Sequence, residues 1–339
     1  MTEAPPHDPF ARVFVAGAGS WGTALAASCV RAGRDTVLWS RGQAVADDIE
    51  RSRRNSAYLP GITLPGALRV TTDRARVQGA DAVLLVVPAQ AARVELGRLR
   101  AASGAAPLPV ALCCKGMERG TGLPMSDVLA EAWPEARAAV LSGPSFAHDV
   151  ARGLPTAVTL ADADEADGAR WLATLATDAF RPYYSDDVMG AELGGAIKNV
   201  LAIACGVVEG KGLGESAKAA LMARGFAEAR RFALGLGARP ETLAGLSGLG
   251  DLILTSGSRQ SRNMSLGYEI GRGADPRAVI EARRTVTEGA ATAPVLVRLA
   301  RERGVEMPVC EAVERLLAGD TDVDAVIGAL MTRPLRIEG

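Results

Sequence analysis

Lysine is scarce in this chain, and the few lysines present are the first candidates for chemistry. The sequence has thirty-four arginines and four lysines: Lys115, Lys198, Lys211 and Lys218. Arginine cannot lose a proton near neutral pH, whereas a desolvated lysine can, so a lysine kept against this bias is a candidate for acid–base catalysis. Lys198 is the clearest case, because it is the only charged residue between Glu192 and Glu209. The same pattern also fits a lysine that reaches solvent from a mostly buried helix.

A glycine-rich segment near the start of the chain predicts a binding site for phosphates. Residues 17–22 read GAGSWG, which matches G-x-G-x-x-G, and they directly follow a strand-like run at 12–16. Gly17, Gly19 and Gly22 would permit a tight turn, close approach of a pyrophosphate and close helix–strand packing. The helix that follows would direct its amides at the phosphates. Between a first strand and a first helix, this motif predicts dinucleotide binding.

The end of the second predicted strand bears on which dinucleotide is bound. An NAD-specific site would place an acid there to bind the ribose 2′-hydroxyl. The sequence instead reads Trp39-Ser-Arg-Gly42, with no acid. Arg41 could bind a 2′-phosphate, which predicts that NADPH is accepted. Alternatively, Arg41 stacks on the adenine, in which case NADH and NADPH would both bind.

The ends of the other predicted strands carry residues suited to a ligand site. Pro88, Lys115 and the segment Gly143-Pro-Ser145 each follow an apolar run. In open α/β sheets, ligands bind at the carboxyl ends of the strands. Lys115 is again one of the scarce lysines, although a strand-end lysine can also simply face solvent.

A segment in the second half is rich in small and polar residues. Residues 246–263 read LSGLGDLILTSGSRQSRN, in which Asp251 lies among apolar residues and needs a partner. Ser261, Arg262 and Asn263 offer a hydroxyl, a guanidinium and an amide in succession, which could bind a phosphate because arginine can bind it bidentately. Ser261 could also be the N-cap of a helix, and both interpretations can hold together.

The order of elements predicts an α/β fold with two domains. Apolar runs alternate with helical stretches up to residue 185, which predicts an N-terminal Rossmann-type, doubly wound parallel sheet. Pro182 places the last strand, 180–184, at a sheet edge. The rest is predicted to be an all-α C-terminal domain, with helices at 188–209, 216–234, 262–272, 276–283, 288–303 and 308–318. The predicted division is a disordered leader at 1–11, an NAD(P)-binding domain at 12–187 and a helical substrate-binding domain at 188–339.

Composition excludes several classes of function. A net charge of −1 without a basic, aromatic-rich block argues against nucleic-acid binding. The most apolar stretch, 193–208, is too short for a membrane span and contains Lys198. The five cysteines form no CxxC pair, and the two histidines make a histidine-based metal site unexpected. With no signal peptide at the N-terminus, these features predict a cytoplasmic protein with buried, reduced cysteines and no metal.

Taken together, the motifs resemble those of the bacterial NAD(P)-dependent glycerol-3-phosphate dehydrogenases. The similarity extends from about residue 13 to 319, and it rests on residues 17–26, 58–61, 115–116, 141–147, 195–200, 248–252, 261–263 and 286–289. The resemblance implies reversible reduction of dihydroxyacetone phosphate to sn-glycerol 3-phosphate, which supplies the glycerophospholipid backbone. It also implies NADPH or NADH as cofactor and a homodimer that uses the helical half.

The resemblance further implies roles for individual residues. Lys198 is implied as the acceptor of the proton from the C2 hydroxyl, with Asp251 orienting its ammonium. Implied substrate contacts are Lys115, Gly143, Ser145, Lys198, Asp251, Ser261, Arg262 and Asn263. Implied cofactor contacts, besides Gly17, Gly19 and Gly22, are Ser20, Trp21, Arg41, Lys115, Ala147, Arg262, Val286 and Glu288.

Three alternatives stay open at this point. His148 is a rival acid–base group, although its place beside Asp149 at a helix start favours a surface role. A 3-hydroxyacid dehydrogenase of related architecture would use an arginine to bind the substrate carboxylate, and it would not need a group of residues that binds a phosphate. A non-catalytic NAD(P)H-sensing module would have no need for an isolated lysine in an apolar helix.

Overall fold

The first half of the chain is built around one twisted sheet. The computed structural model describes residues 8–283 and 286–334, and its sheet has eight strands in the order β3-β2-β1-β4-β5-β6-β7-β8. The strands are β1 Arg12–Ala16, β2 Asp35–Trp39, β3 Arg69–Thr71, β4 Ala82–Leu85, β5 Pro109–Leu112, β6 Arg137–Ser142, β7 Thr156–Asp162 and β8 Phe180–Ser185. Helices cover both faces, so the two central strands, β4 and β5, are buried and apolar throughout. The predicted Rossmann-type sheet is confirmed.

Helices follow the strands in the first half and make up the second half. In the sheet half they are α1 Ser20–Arg31, α2 Gln43–Ser52, α3 Ala89–Ser103, α4 Met125–Ala132, α5 Ala147–Arg152 and α6 Glu165–Leu175. In the helical half they are α7 Val188–Lys211, α8 Glu215–Leu234, α9 Pro240–Ala244, α10 Asp251–Ser256, α11 Arg262–Gly271, α12 Pro276–Ala282, α13 Glu288–Glu302, α14 Pro308–Ala318 and α15 Val323–Met331. Among the described residues after 185 there is no strand, as predicted.

The sheet is not parallel throughout, which differs from the prediction. β7 pairs antiparallel with β6, and β8 pairs parallel with β7. The connection from β6 to β7 contains only the six-residue helix α5, which is about 9 Å long. Helix α5 is therefore too short to carry the chain back along β6, a six-residue strand that is about 20 Å long. β8 lies at the edge of the sheet, as Pro182 indicated.

The predicted leader is too long. Phe10 is 1% exposed, and its ring meets that of Trp171 with centroids 4.9 Å apart. The Phe10 N–H also donates to the Thr174 hydroxyl at 2.8 Å. Phe10 therefore belongs to the core of the sheet half, while residues 1–7 of the predicted leader lie outside the described residues.

Helix α7 forms the centre of the helical half. The Asp187 carboxylate caps its start by accepting from the Gly190 N–H at 2.8 Å, and Gly212 ends it in the left-handed region. Its 24 residues are long and apolar enough to cross a membrane, but most of them are buried inside the protein. A helix that is apolar on every side is typical of a protein core.

Helices α7 and α11 touch through their backbones. A Cβ added to Gly206 of α7 would lie 2.2 Å from the Met264 carbonyl oxygen, and one added to Gly267 of α11 would lie 1.9 Å from the Ile203 carbonyl oxygen. Glycines one turn further along each helix make equally close contacts. Any side chain at these positions would force the two helices apart.

Candidate functional site

Two lysines share one buried carboxylate between the two halves of the chain. Asp251, the first residue of α10, is 1% exposed. Lys198 Nζ lies 3.0 Å from Asp251 Oδ1, and Lys115 Nζ lies 2.6 Å from Asp251 Oδ2. Lys198 comes from the middle of α7, whereas Lys115 follows β5. The structure thus brings together three residues that the sequence singled out from three separate segments.

The charge states of this cluster follow from burial and from the neighbouring charges. The pKa of Lys198 is lowered to about 8, mainly by desolvation and also by the positive charge of Lys115, although Asp251 acts in the opposite direction. Burial alone would raise the pKa of Asp251, but the two lysines outweigh it and hold that pKa below its usual value. Lys198 can therefore exchange a proton near neutral pH while Asp251 stays ionised.

Thr255 completes the hydrogen bonds of Lys198, and sequence reasoning missed it. Its hydroxyl accepts from Lys198 Nζ at 2.7 Å and lies 3.2 Å from Asp251 Oδ1. Thr255 lies four residues after Asp251, so the two side chains share one face of α10. That spacing is the signal that could have identified Thr255.

A chain of amides connects Lys115 to the helical half. The Asn199 side-chain amide donates to the Lys115 carbonyl oxygen at 3.0 Å. The Asn263 amide donates to Asn199 Oδ1 at 2.8 Å, and Asn263 Oδ1 accepts from the Gly289 N–H at 3.0 Å. These bonds use much of the hydrogen-bonding capacity of Asn263, one of the predicted substrate contacts. Asn199 was not among the predicted site residues.

The turn after β6 lies against the lysine cluster. The Gly143 carbonyl oxygen accepts from Lys115 Nζ at 3.0 Å and from the Ser145 hydroxyl at 3.1 Å. Gly143 has a φ of +146°, and a Cβ there would lie 2.9 Å from Val158 Cα. A glycine is therefore required for this turn to place Gly143 and Ser145 beside Lys115.

The residues predicted to bind a phosphate, Ser261, Arg262 and Asn263, lie at the start of helix α11. The Ser261 hydroxyl accepts from the Met264 N–H at 3.2 Å, which confirms Ser261 as the N-cap of α11. Arg262 is exposed, and its guanidinium makes no hydrogen bond or ion pair with the described residues. The surrounding protein nevertheless lowers its pKa through desolvation, with Glu288 acting in the opposite direction. A partly desolvated, unpaired guanidinium at a helix N-terminus is suited to binding an anion.

The glycine turn after β1 has the geometry that a pyrophosphate needs. Gly17 has a φ of +124°, and a Cβ on it would lie 2.3 Å from the Val86 carbonyl oxygen. A Cβ on Gly22 would lie 1.8 Å from the Gly17 carbonyl oxygen, so both positions require glycine. At Gly19, by contrast, a Cβ would meet no atom of the described residues within 4 Å. Gly19 thus borders open space at the N-terminus of α1, where a phosphate could approach the backbone.

The other predicted cofactor contacts near this turn differ in exposure. Arg41, two residues after the end of β2, is exposed. The Ser20 hydroxyl donates to the Tyr58 carbonyl oxygen at 2.5 Å, so the irregular segment after α2 folds back onto the glycine turn. The Trp21 ring is partly buried, and its Nε1 has no hydrogen-bond partner among the described residues.

Glu288 extends from the helical half to the end of β4. Its Oε1 accepts from the Ala89 N–H at 3.0 Å, at the start of α3. Its Oε2 and the Thr292 hydroxyl are buried and unpartnered among the described residues, and both lie within 3.2 Å of a Cβ built on Gly116. Glu288 Oε2 and the Thr292 hydroxyl can therefore accept hydrogen bonds beside Gly116, which follows β5. They are suited to a ligand that donates hydrogen bonds, such as a carboxamide.

The remaining predicted residues differ in their exposure to solvent. Ala147 is partly buried at the start of α5, and Val286 is 44% exposed just before α13. His148 is exposed, as a surface role would require.

Sequence comparisons identify the same family over both halves of the chain. A family model described as the N-terminus of NAD-dependent glycerol-3-phosphate dehydrogenase matches residues 12–167, and one for its C-terminus matches residues 187–328. A glycerol-3-phosphate dehydrogenase [NAD(P)+] of Parvibaculum lavamentivorans is 54% identical over 97% of this chain and 98% of its own. One of Maricaulis maris is 53% identical over 96% of this chain and 97% of its own.

A solved structure agrees with the sequence comparisons. The crystal structure of glycerol-3-phosphate dehydrogenase from Coxiella burnetii superposes with a TM-score of 0.91 at 36% identity. The match covers 96% of this chain and 99% of that one, so it includes both the sheet half and the helical half.

Proposed function

This chain belongs to the NAD-dependent glycerol-3-phosphate dehydrogenase family, and we propose which of its residues carry the reaction. The protein is an oxidoreductase that reduces dihydroxyacetone phosphate to glycerol 3-phosphate with NADH or NADPH. Its product is the backbone of glycerophospholipids. The observation that carries the residue assignment is the sharing of the buried Asp251 carboxylate by Lys198 and Lys115.

Lys198 is the proton donor for the C2 oxygen in reduction and the acceptor in oxidation. Its pKa of about 8 supports this role, since both the ammonium and the amine are then accessible near neutral pH. Asp251 and Thr255 direct the Lys198 nitrogen by accepting its hydrogen bonds. Lys115 adds positive charge next to the oxygen, which favours the developing negative charge.

Arg262 binds the substrate phosphate, assisted by the N-terminal amides of α11. Its unpaired guanidinium and the helix dipole support this assignment. Four residues complete the proposed substrate contacts: Gly143 and Ser145 lie beside Lys115, and Ser261 and Asn263 flank Arg262 in the sequence.

The cofactor fits the glycine turn because Gly19 leaves space at the N-terminus of α1. The pyrophosphate side would be held by Gly17, Gly19, Ser20, Trp21 and Gly22. The adenosine side would be held by Arg41. Lys115, Ala147, Arg262, Val286 and Glu288 are proposed to border the nicotinamide side. The reduced nicotinamide supplies the hydride for C2.

Oxidation of NADH and NADPH in the presence of dihydroxyacetone phosphate tests this function. We expect loss of nicotinamide absorbance with both cofactors. The matched control is a set of 3-hydroxyacids without a phosphate, supplied with NAD+ or NADP+ because these acids are already reduced. We expect no formation of NADH or NADPH from them, because Arg262 would lack its partner. Turnover of the hydroxyacids alone would contradict the assignment.

Three broader properties are part of the same proposal. Residues 12–187 form the cofactor-binding domain, and residues 188–339 form the substrate-binding domain. A homodimer through the helical half is supported by exposed apolar side chains there, Leu213, Leu234 and Met331, and light scattering would measure the mass. A cytoplasmic location is supported by free cysteines, of which Cys29, Cys113, Cys205 and Cys310 are buried, and cell fractionation would test it.

A further inference from the structure

Glu192 lies on α7, six residues before Lys198, and contacts a helix of the sheet half. Its Oε1 accepts from the Ser126 N–H at 2.8 Å, and its Oε2 accepts from the Ser126 hydroxyl at 2.5 Å. Helix α4 begins after Pro124, which has no side-chain acceptor to cap it. Glu192 therefore supplies an acceptor for the first turn of α4, where the helix dipole also favours a negative charge.

Glu192 is one of three residues on the face of α7 that docks on the sheet half. Glu192, Gly195 and Asn199 share this face because they are three and four residues apart. A Cβ on Gly195 would lie 2.7 Å from the Ser142 hydroxyl oxygen, so α7 approaches the end of β6 closely there. Asn199 donates to the Lys115 carbonyl oxygen at 3.0 Å, next to the end of β5. The face thus has a polar contact at each end and a close contact between them.

Lys198 lies next to this docking face. Lys198 directly precedes Asn199 on α7, while Lys115 and the cofactor turn belong to the sheet half. A rotation or shift of α7 against α4 would change the distance from Lys198 to every group on that half. The Glu192–Ser126 contact opposes such a movement about 10 Å along the helix from Asn199.

We propose that Glu192 is a positioning residue, which holds α7 against α4 and thereby places Lys198 relative to Lys115 and the bound cofactor. The inference rests on the proposed role of Lys198. Glu192 itself contacts neither of the two lysines, so its effect on catalysis is transmitted by the helix.

Glu228 offers a control with the same chemistry. This carboxylate on α8 is 3% exposed, and both of its oxygens lie 3.0 Å from the Val309 nitrogen at the start of α14. Burial raises its pKa to about 7, as it does for Glu192. Because α8 and α14 both belong to the helical half, this contact does not join the two halves.

The test compares Glu192→Ala, Glu192→Gln and Glu228→Ala in the full-length protein at pH 8, where both carboxyls are mainly ionised in the wild type. The measurements are the melting temperature, the NADPH dissociation constant from nicotinamide fluorescence, and kcat per NADPH-binding site. Displacing a catalytic group by about 1 Å can cost about 10²-fold in rate. We therefore expect Glu192→Ala to lower kcat per site at least tenfold, with little change in NADPH affinity.

The two comparison variants separate positioning from stability. Glu228→Ala should lower the melting temperature but keep kcat per site within about twofold of the wild type. Glu192→Gln should keep kcat within about threefold, because its amide can still accept from the Ser126 N–H and donate to the hydroxyl. If Glu192→Ala keeps its kcat within twofold, or if Glu228→Ala loses as much, the inference is wrong.

A second variant covers the case in which Glu192→Ala does not fold. Ser126→Ala removes the hydroxyl and leaves the N–H, so one of the two hydrogen bonds to Glu192 remains. A loss of threefold or more in kcat per site with normal NADPH binding would then support the inference, and an unchanged kcat would overturn it. Failure of the wild type to turn over dihydroxyacetone phosphate would count against the proposed function instead.

Discussion

Replacing Lys198 by arginine would separate proton transfer from charge. Lys198 Nζ donates to Asp251 Oδ1 at 3.0 Å and to the Thr255 hydroxyl at 2.7 Å. A guanidinium has enough donors to make both hydrogen bonds, so the positive charge and its partners would remain. What the variant loses is the ability to exchange a proton near neutral pH.

The size of the effect follows from the two pKa values. With a pKa of about 8, roughly half of the Lys198 side chains are neutral at pH 8. An arginine with a pKa above about 12 would be neutral in fewer than about one molecule in 10⁴ at that pH. General acid–base catalysis contributes about 10²–10⁴-fold, so kcat should fall by at least 10²-fold, which is about 2.7 kcal/mol of barrier.

The assay measures kcat in both directions, with NADPH affinity from nicotinamide fluorescence. The matched control is Lys115→Arg, the same substitution on the other oxygen of Asp251. Because Lys115 is proposed to supply only charge, its arginine variant should lose less than about tenfold in kcat. NADPH affinity should stay near wild type in Lys198→Arg, since the glycine turn lies in the other half of the chain.

The pH dependence of the rate tests the same role of Lys198, because reduction and oxidation should respond to pH in opposite directions. In the proposed mechanism, reduction needs the Lys198 ammonium, so its rate should fall as the pH rises through about 8. Oxidation needs the amine, so its rate should rise over the same range. Neither the fall in the reduction rate nor the rise in the oxidation rate should be seen in Lys198→Arg. Near-normal turnover of that variant would refute the reasoning, and it would mean that the proton travels through His148 or water.

Three further substitutions test other parts of the site and the fold. Arg41→Asp should shift the NADPH-to-NADH ratio of kcat/KM toward NADH by repelling the 2′-phosphate, and an unchanged ratio would exclude Arg41 from cofactor choice. Arg262→Ala should raise the KM for dihydroxyacetone phosphate more than threefold, since losing a charge-assisted contact costs about 1.5–3 kcal/mol; a smaller rise would place the clamp elsewhere. Gly267→Ala should lower the free energy of unfolding by about 1–3 kcal/mol, because its Cβ would lie 1.9 Å from the Ile203 carbonyl oxygen. In denaturant unfolding, Gly97→Ala on α3, where a Cβ meets nothing within 4 Å, is the control and should stabilise slightly.

The parts of the site that could be predicted are those that depend on residue type and local order. The scarcity of lysine singled out Lys198 and Lys115, and the apolar residues around Asp251 in the sequence indicated that it needs a partner. The glycine turn was predictable because its motif lies between a strand and a helix. Six predicted helices of the second half match the observed ones within two residues at each end.

The parts that could not be predicted depend on contacts between distant segments. Thr255 joins the site because α10 packs on α7, and Asn199 joins it because α7 docks on the residues that follow β5. The reversal of β7 depends on the short helix α5, whose length is not evident from an apolar pattern. The burial of Phe10 depends on Trp171, more than 160 residues away in sequence, so a short polar N-terminus gave no sign of it.

The backbone contact between α7 and α11 has a consequence for substrate choice. Helix α7 carries the proposed proton donor, and the first turn of α11 carries the proposed phosphate-binding residues. Because both helices carry glycines at the contact, no side chains lie between them that could change conformation. The distance between the proton donor and the phosphate-binding residues is therefore set by main-chain atoms. The helical half would therefore select ligands by the number of bonds between their phosphate and their carbonyl carbon. A homologue of dihydroxyacetone phosphate lengthened by one methylene between these groups should bind through its phosphate but react poorly.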